Sequence, residues 1–392
     1  MGDTVTLFVD RCVMCTRCVR FTREITGTSE LMVVNRGAHE EIDVFPGFPL
    51  DNKLSGNVVD LCPVGALGDK DFLYSQRVWF MKSHEHVCGG CATGCSINVD
   101  ANQDQIYRLK PRENPHVNGW WMCDEGRYGF KYHHADDRVT IAQRQTADGD
   151  YHHLEWHDLI ASLEDELRRA GHLAVVLSPF LTVEEAFLLG QFVRGIDADA
   201  VLALGPVPVD GDDETYPNGF TIRSEKCPNR RGVEAVISGL QQKYVTWDEF
   251  VASVPNESLG AVWFAGGYPA EWNDASTAAN FAGVPLTIVQ DLFATPLWEQ
   301  AQIRLPGVGF AERAGSFVNA TDRLQSFEWA IRPPAGAMSE GQLLWQLMGR
   351  PGLYRPQEVL HELGREIAYF AVALDDVPKV GVDLKINQIV GA

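Results

Sequence analysis

Eight of the nine cysteines in this 392-residue chain fall into two close sets. The first is Cys12, Cys15 and Cys18 at two-residue gaps, followed after 43 residues by Cys62, which precedes Pro63. Three thiolates on one tight turn can hold three corners of an iron–sulfur cube, while the intervening peptide N–H groups point at its sulfides. No second near-repeat accompanies the Cys-Pro pair, so Cys62 is expected to supply the fourth corner of the same [4Fe–4S] cluster. Zinc would more commonly take its ligands as two pairs. The second set, "CGGCATGC", is Cys88, Cys91 and Cys95, with Cys123 after 27 further residues. The small residues Gly89, Gly90, Ala92, Thr93 and Gly94 would let the backbone approach a second [4Fe–4S] cluster. On spacing alone, zinc stays open as an alternative there.

Other ligand-type residues read as bland. His84, His86 and His116 lie near the second set, but four cysteines already complete it, so each is expected to be solvated or packed. The pair His133-His134 reads as a surface linker, and Cys227 in "EKCPNRRG" as a plain loop or core cysteine.

The chain is acidic, with 53 Asp and Glu against 33 Lys and Arg and a formal charge of −20. It has no dense basic run, which argues against nucleic acid as a partner. The longest apolar runs, such as "HLAVVLSPF", fall far short of the roughly 20 residues that cross a bilayer. No secretion signal opens the chain, so clustered cysteines point to metal or redox use in a reducing compartment rather than to disulfides.

These groups need elements to position them. Residues 1–80 read as short strands and turns around the first set. Residues 81–135, rich in Gly and Asn, carry the second set with little room for helix. From 136 to 392 apolar runs alternate with amphipathic stretches. "WHDLIASLEDELRRAG" puts Leu159, Ile160, Leu163 and Leu167 on one helical face, with Gly171 as the cap. "LAVVL" at 173–177 reads as a buried strand, and Thr182 with Glu185 as a capping box opening the next helix. "AVLALG" (200–205), "GAVWFAGG" (260–267), a helix around 274–282 and "VPLTIVQDLF" (284–293) continue the alternation. The loop "PVPVDGDDETYPNG" (206–219) interrupts it. The predicted class is α/β, with a mostly parallel sheet behind N-terminal iron–sulfur segments.

The stretches "RCVMCTRCVRF", "ITGTSELMVVNRGAHEEI", "LSGNVVDLCPVGAL" and "CGGCATGCSINV…WWMCDEGRYGF" resemble the G subunit of bacterial NADH-quinone oxidoreductase, respiratory complex I. The later "LPGVGFAERAGSFVNATDRLQ" is similar to the molybdopterin-oxidoreductase-like region of that family. The resemblance implies an electron-relay subunit that passes single electrons from NADH and flavin toward quinone. Cys12, Cys15, Cys18 and Cys62 would lie on the wire, and Cys88, Cys91, Cys95 and Cys123 would bind a cluster off it. It implies other peripheral-arm subunits as partners, among them a flavin- and NADH-binding subunit. It also implies a cytoplasmic location, peripheral at the inner face of the membrane, with no span of its own. Typical members carry a [2Fe–2S] domain and a His-ligated cluster ahead of the first quartet, so either a separate ferredoxin-like chain is expected to supply them or this is a split or degenerate copy.

The second quartet ahead of α/β layers also resembles formate dehydrogenases. Those enzymes usually place a lysine soon after the fourth cysteine, where this chain has Asp124 and Glu125, and "SPFLTVEEAFLLGQF" offers molybdenum no thiol, only Ser178. No molybdopterin is therefore expected. A zinc-stapled scaffold is the third alternative.

Overall fold

The computed structural model describes residues 1–241, 244–256 and 258–385; residues 386–392 of the expected α/β region lie outside the described residues. The framework is a seven-stranded sheet. Leu173–Leu177 lies second from one edge, flanked in parallel by the edge strand Val201–Leu204 on one side and by Ala261–Ala265 on the other. Leu286–Asp291 and Ile303–Pro306 follow in parallel. Gln143–Gln145 and Tyr151–His153 then close that edge antiparallel. Every residue of Leu173–Leu177 and Ala261–Ala265 is buried. Strands covered on both faces read as unbroken apolar runs, which is why these were legible. Alternate residues still divide between two cores. Val175, Leu202, Trp263 and Ile288 face one, whereas Val176, Ala203, Phe264 and Val289 face the other.

The helices follow the expected logic. In Trp156–Ala170, Leu159, Leu163 and Leu167 are buried, and Gly171 ends the helix at φ 88°. Thr182 and Glu185 form the capping box of Val183–Ile196, an almost wholly buried helix. The helix expected around 274–282 is shorter, Ala275–Ala279, with Asp274 capping Thr277 N–H. The polar loop at 206–219 holds half of a small hairpin, Glu214–Thr215 paired with Thr221–Ile222.

The cysteine-bearing region has its own small sheets. Val5–Leu7 pairs antiparallel with Leu67–Asp69, and Lys82–Val87, Ser96–Asn102 and Gln105–Pro111 form a three-stranded sheet. Its core is not built from residues 1–135 alone. Tyr216, Phe220, Ile222, Phe310, Phe317, Phe327 and Ile331 complete it.

The segment "GFAERAGSFV" is the joint between the two regions. Phe310 packs edge-on against His86 and His133 at centroid distances of 5.2 and 4.9 Å. Glu312 pairs with Arg138 at 2.5 Å, and Arg313 pairs with Glu185 at 2.6 Å. All four charged side chains are buried, so removing one partner strands the other, at a cost of about 3–5 kcal/mol. His133 is therefore not on a surface linker as expected. It is 3% exposed, its Nδ1 facing Phe130 O and its Nε2 accepting from Ala311 N–H. Its dipeptide partner His134 accepts Ile106 N–H. The arrival of the distant Phe310 segment put the His133 ring inside and left His134 half-buried, which local polarity did not signal.

Candidate functional site

The first quartet is gathered by short, tightly turned backbone. Val9–Arg11 is a single 3₁₀ turn, and Cys12 N–H closes it onto Val9 O. Met14 and Thr16 then take positive φ of 52° and 58° before the helix Arg17–Phe21 begins. Left-handed non-glycine residues are costly. Here they reverse the chain between successive cysteines, so that Cys12, Cys15 and Cys18 face one space. Cys62 arrives from the helix Asn57–Leu61, whose last turn it caps. The bond from Phe8 N–H to Ala66 O, at 2.7 Å, brings the two segments side by side. All four thiols line one pocket whose other walls include Leu7, Val13, Ile42, Val64 and Leu67. Burial pushes the Cys18 thiol up to about 11; the neighbouring Cys12 and Cys15 add to the rise, and the Val19 N–H opposes it. Cys15 is the exposed member of the set.

The second quartet is wholly buried. Cys88 directly follows the strand Lys82–Val87 and Cys95 directly precedes Ser96–Asn102, joined by Cys88 N–H to Cys95 O at 2.8 Å. Cys123 caps the helix Asp124–Tyr128, its Sγ accepting Gly126 N–H at 3.3 Å. Gly126 leaves room for the thiols, because a Cβ there would press on Cys88 Sγ at 3.1 Å and touch Cys123 Sγ at 3.5 Å. A Cβ on Gly90 would lie 3.6 Å from Cys88 Sγ. Burial drives Cys88 up to about 12, with Cys91 contributing, and raises Cys95 and Cys123 well above the ordinary thiol range. Each of these thiols feels others of the set, so the four are mutual neighbours.

Cys88, Cys95 and Cys123, whose thiols burial holds well up, stay protonated unless positive charge enters, and metal loading must release those protons. The four cysteines of the first set share one pocket, and those of the second are all buried.

A polar joint couples the two sites. Asn57 donates to Met122 O at 2.8 Å and accepts Met122 N–H at 3.2 Å. Asp124 accepts from Ser55 Oγ at 2.5 Å and from Gly56 N at 2.9 Å. Arg127 reaches Asp60 at 2.7 Å. Phe21 and Trp121 pack beside it with centroids 5.1 Å apart. The helix delivering Cys62 is thus clamped to the segment delivering Cys123.

Of the residues set aside from the sequence, His86 is buried against Phe327, centroids 4.3 Å apart. Cys227 is fully buried beside Phe180 and Tyr268. Ser178 is buried, its hydroxyl accepting Phe180 N–H. Lys226 was missed. Its Nζ lies 2.5 Å from Glu125 Oε2, and it stands close enough to Cys91 and Cys123 to feel their charge. Burial pulls its pKa down, but Glu125 and the thiols outweigh this and leave it raised. Nothing local in "EKCPNRRG" announces a cation that reaches the second quartet across a sequence gap of a hundred residues.

Two segments of the chain match known domain families. Residues 2–68 match the ferredoxin-like domain of NADH-quinone oxidoreductase subunit 3, and residues 81–135 match the molybdopterin oxidoreductase Fe4S4 domain. The G subunit of NADH-quinone oxidoreductase from Streptomyces coelicolor is 32% identical over 195 residues, which are 50% of this chain and 23% of its own. Half of this chain is thus similar in sequence to that G subunit. The mitochondrial NADH dehydrogenase [ubiquinone] iron-sulfur protein 1 of Solanum tuberosum is 34% identical over 43% of this chain and 23% of its own. NADH-quinone oxidoreductase subunit 3 from Thermus thermophilus is 32% identical over 50% of this chain and 25% of its own. The chain thus spans about a quarter of the length of these curated relatives. Acetylene hydratase from Pelobacter acetylenicus aligns with 68% of this chain and 69% of its own at a TM-score of only 0.39 and 10% identity. Among the described residues no helix is long and apolar enough to cross a membrane.

Proposed function

We propose that this chain is an iron–sulfur electron-transfer subunit of an NADH-quinone oxidoreductase, relaying electrons from NADH and flavin toward quinone. Residues 1–80 would hold one [4Fe–4S] cluster through Cys12, Cys15, Cys18 and Cys62. Residues 81–135 would hold a second through Cys88, Cys91, Cys95 and Cys123, and 136–392 would serve as a docking scaffold. The observation that carries the reading is the gathering of two separate sets of four thiols, the first in a pocket with apolar walls and the second wholly buried among glycines.

When bound, such clusters accept and release single electrons. The protein's part is positional. Burial of Cys88, Cys91, Cys95 and Cys123 excludes water from the second site. The Gly126 and Val19 N–H groups face Cys123 and Cys18 and lower the cost of holding thiolate there. Lys226 adds a positive charge beside the second quartet, and the exposed Cys15 leaves the first open to a partner. Partners would be the flavin-bearing and other peripheral-arm subunits, including a ferredoxin-like chain, at the inner face of the cell membrane. The molybdenum alternative gains nothing from Ser178, whose hydroxyl already satisfies a backbone amide.

The test is metal and sulfide analysis of anaerobically isolated protein, with electron paramagnetic resonance after reduction. About eight irons and eight sulfides are expected, as two cubes require, and Cys227→Ser should leave both unchanged. Zinc without iron, or stoichiometric molybdenum with a pterin, would overturn the reading.

A further inference from the structure

A cleft of about 400 Å³ lies beside the joint and shares no residue with either cysteine quartet. Distant parts of the chain form its walls. His84 and Glu85 come from Lys82–Val87, Ser316 and Ser326 from the paired strands Gly315–Val318 and Arg323–Phe327, and Gln357 from the helix Pro356–Glu366. Glu328 and Trp329 are exposed members of the lining. Glu184, in the first turn of Val183–Ile196, is its buried charge, at 1% exposure. Glu184 Oε2 accepts Ser316 N–H at 2.8 Å. Gly315, at φ 154°, makes room for that carboxyl, since a Cβ there would stand 2.8 Å from Oε2. The cations nearby are engaged elsewhere. Arg313 pairs with Glu185 and Lys379 with Glu85, while Arg112 donates to the Lys379 carbonyl at 3.3 Å. Among the described residues, Glu184 and Glu328 have no ion-pair partner.

We propose that this cleft binds a small organic ammonium ion, with Glu184 as its buried counter-ion and the Trp329 ring as an aromatic wall. The volume suits a small molecule. A buried carboxylate without a counter-ion is costly, and a cation in the cleft removes that cost. An anion would meet Glu184 and Glu328 together. An alkylated ammonium carries its charge on an apolar body, so it can rest on an indole face while it neutralises a carboxylate. Burial raises the Glu184 carboxyl to about 8, with the Ser316 bonds opposing and Glu185 adding. Without a ligand Glu184 is therefore protonated at neutral pH, and a bound cation expels the proton. The affinity of a permanently charged ligand climbs with pH up to about 8 and levels off above it. Glu185 on the same helix, Tyr354, and His84, Glu85, Arg112, Glu328 and Lys379 across the cleft are the other titratable groups around Glu184. A protonated His84 repels a cation too, so the test separates the two groups.

The experiment uses the full chain, isolated anaerobically, with choline as probe and its neutral isostere, a quaternary carbon in place of the nitrogen, as control. Calorimetry measures both affinities. Choline should bind about tenfold or more tighter than the neutral isostere. Its affinity should rise by about tenfold or more between about pH 6.5 and 8.5. Glu184→Gln keeps an acceptor for Ser316 N–H, and should weaken choline by about tenfold or more at about pH 8.5 and flatten the profile. Trp329→Ala should weaken it by about threefold or more at every pH, while His84→Gln keeps the rise. If Glu184→Gln does not fold, the exposed Trp329 variant and the pH profile of the unaltered protein decide. No heat at millimolar choline, an isostere that binds as tightly, or acetate bound in preference to choline would overturn the proposal. So would an affinity that falls as pH rises, or a rise that disappears in His84→Gln.

Discussion

Lys226 offers the sharpest check on how the tertiary structure tunes the second site. Its side chain is 16% exposed and held 2.5 Å from Glu125, so Lys226→Met removes a fixed cation and leaves Glu125 facing the quartet alone. A positive charge stabilises the more negative, reduced state of a nearby cluster, so its removal makes reduction harder. At a separation of roughly 8 Å and an effective dielectric of about 20, one unit charge contributes about 2 kcal/mol. For a one-electron couple that is on the order of 90 mV, and solvent screening at this partly open position brings it to roughly 30–90 mV. Glu125→Gln alone should move the potential upward, and the double variant should return close to the parent, because the neutral pair restores the charge balance. The assay is a redox titration of the second cluster followed by electron paramagnetic resonance, with the first cluster as internal standard. No shift, an upward shift for Lys226→Met, or an equal shift in both clusters would refute the placement of this charge.

Gly126→Ala should lower iron at the second site, because the new Cβ falls 3.1 Å from Cys88 Sγ; about four irons lost with the first cluster's signal retained is the expected outcome. Asn57→Leu removes both bonds to Met122 and leaves two buried backbone groups unpaired, so it should destabilise the protein by about 2–4 kcal/mol; a thermal melt of the loaded protein measures this. Burial, reinforced by Arg138, holds His133 down at about 3 against 6.5 in the unfolded chain, with the Phe130 carbonyl opposing. Its folded form is neutral, so its contribution is complete above pH 6.5 and is lost as pH falls toward 3, by at most about 1.4 kcal/mol per pH unit. In His133→Gln the stability lost between pH 6.5 and 4.5 should be smaller than in the parent; identical slopes in denaturant titrations would contradict this.

The chemistry was legible in the sequence because thiol spacing is a local property. A turn that carries Cys12, Cys15 and Cys18 brings them together whatever surrounds it, and small residues between Cys88 and Cys95 serve the same end. The parallel strands were legible because burial on both faces leaves uninterrupted apolar runs, and the Thr182–Glu185 box because both its bonds lie within four residues. The tertiary structure decided what spans long sequence gaps. Asp124 and Glu125 looked like a mere departure from a lysine-bearing pattern; the first ties the two sites together through Ser55 and Gly56, and the second receives its lysine from Lys226. His133 looked like surface and is core, since Phe310 closes over it. Polarity and periodicity report what a residue prefers, whereas burial and pairing depend on which distant segment arrives beside it.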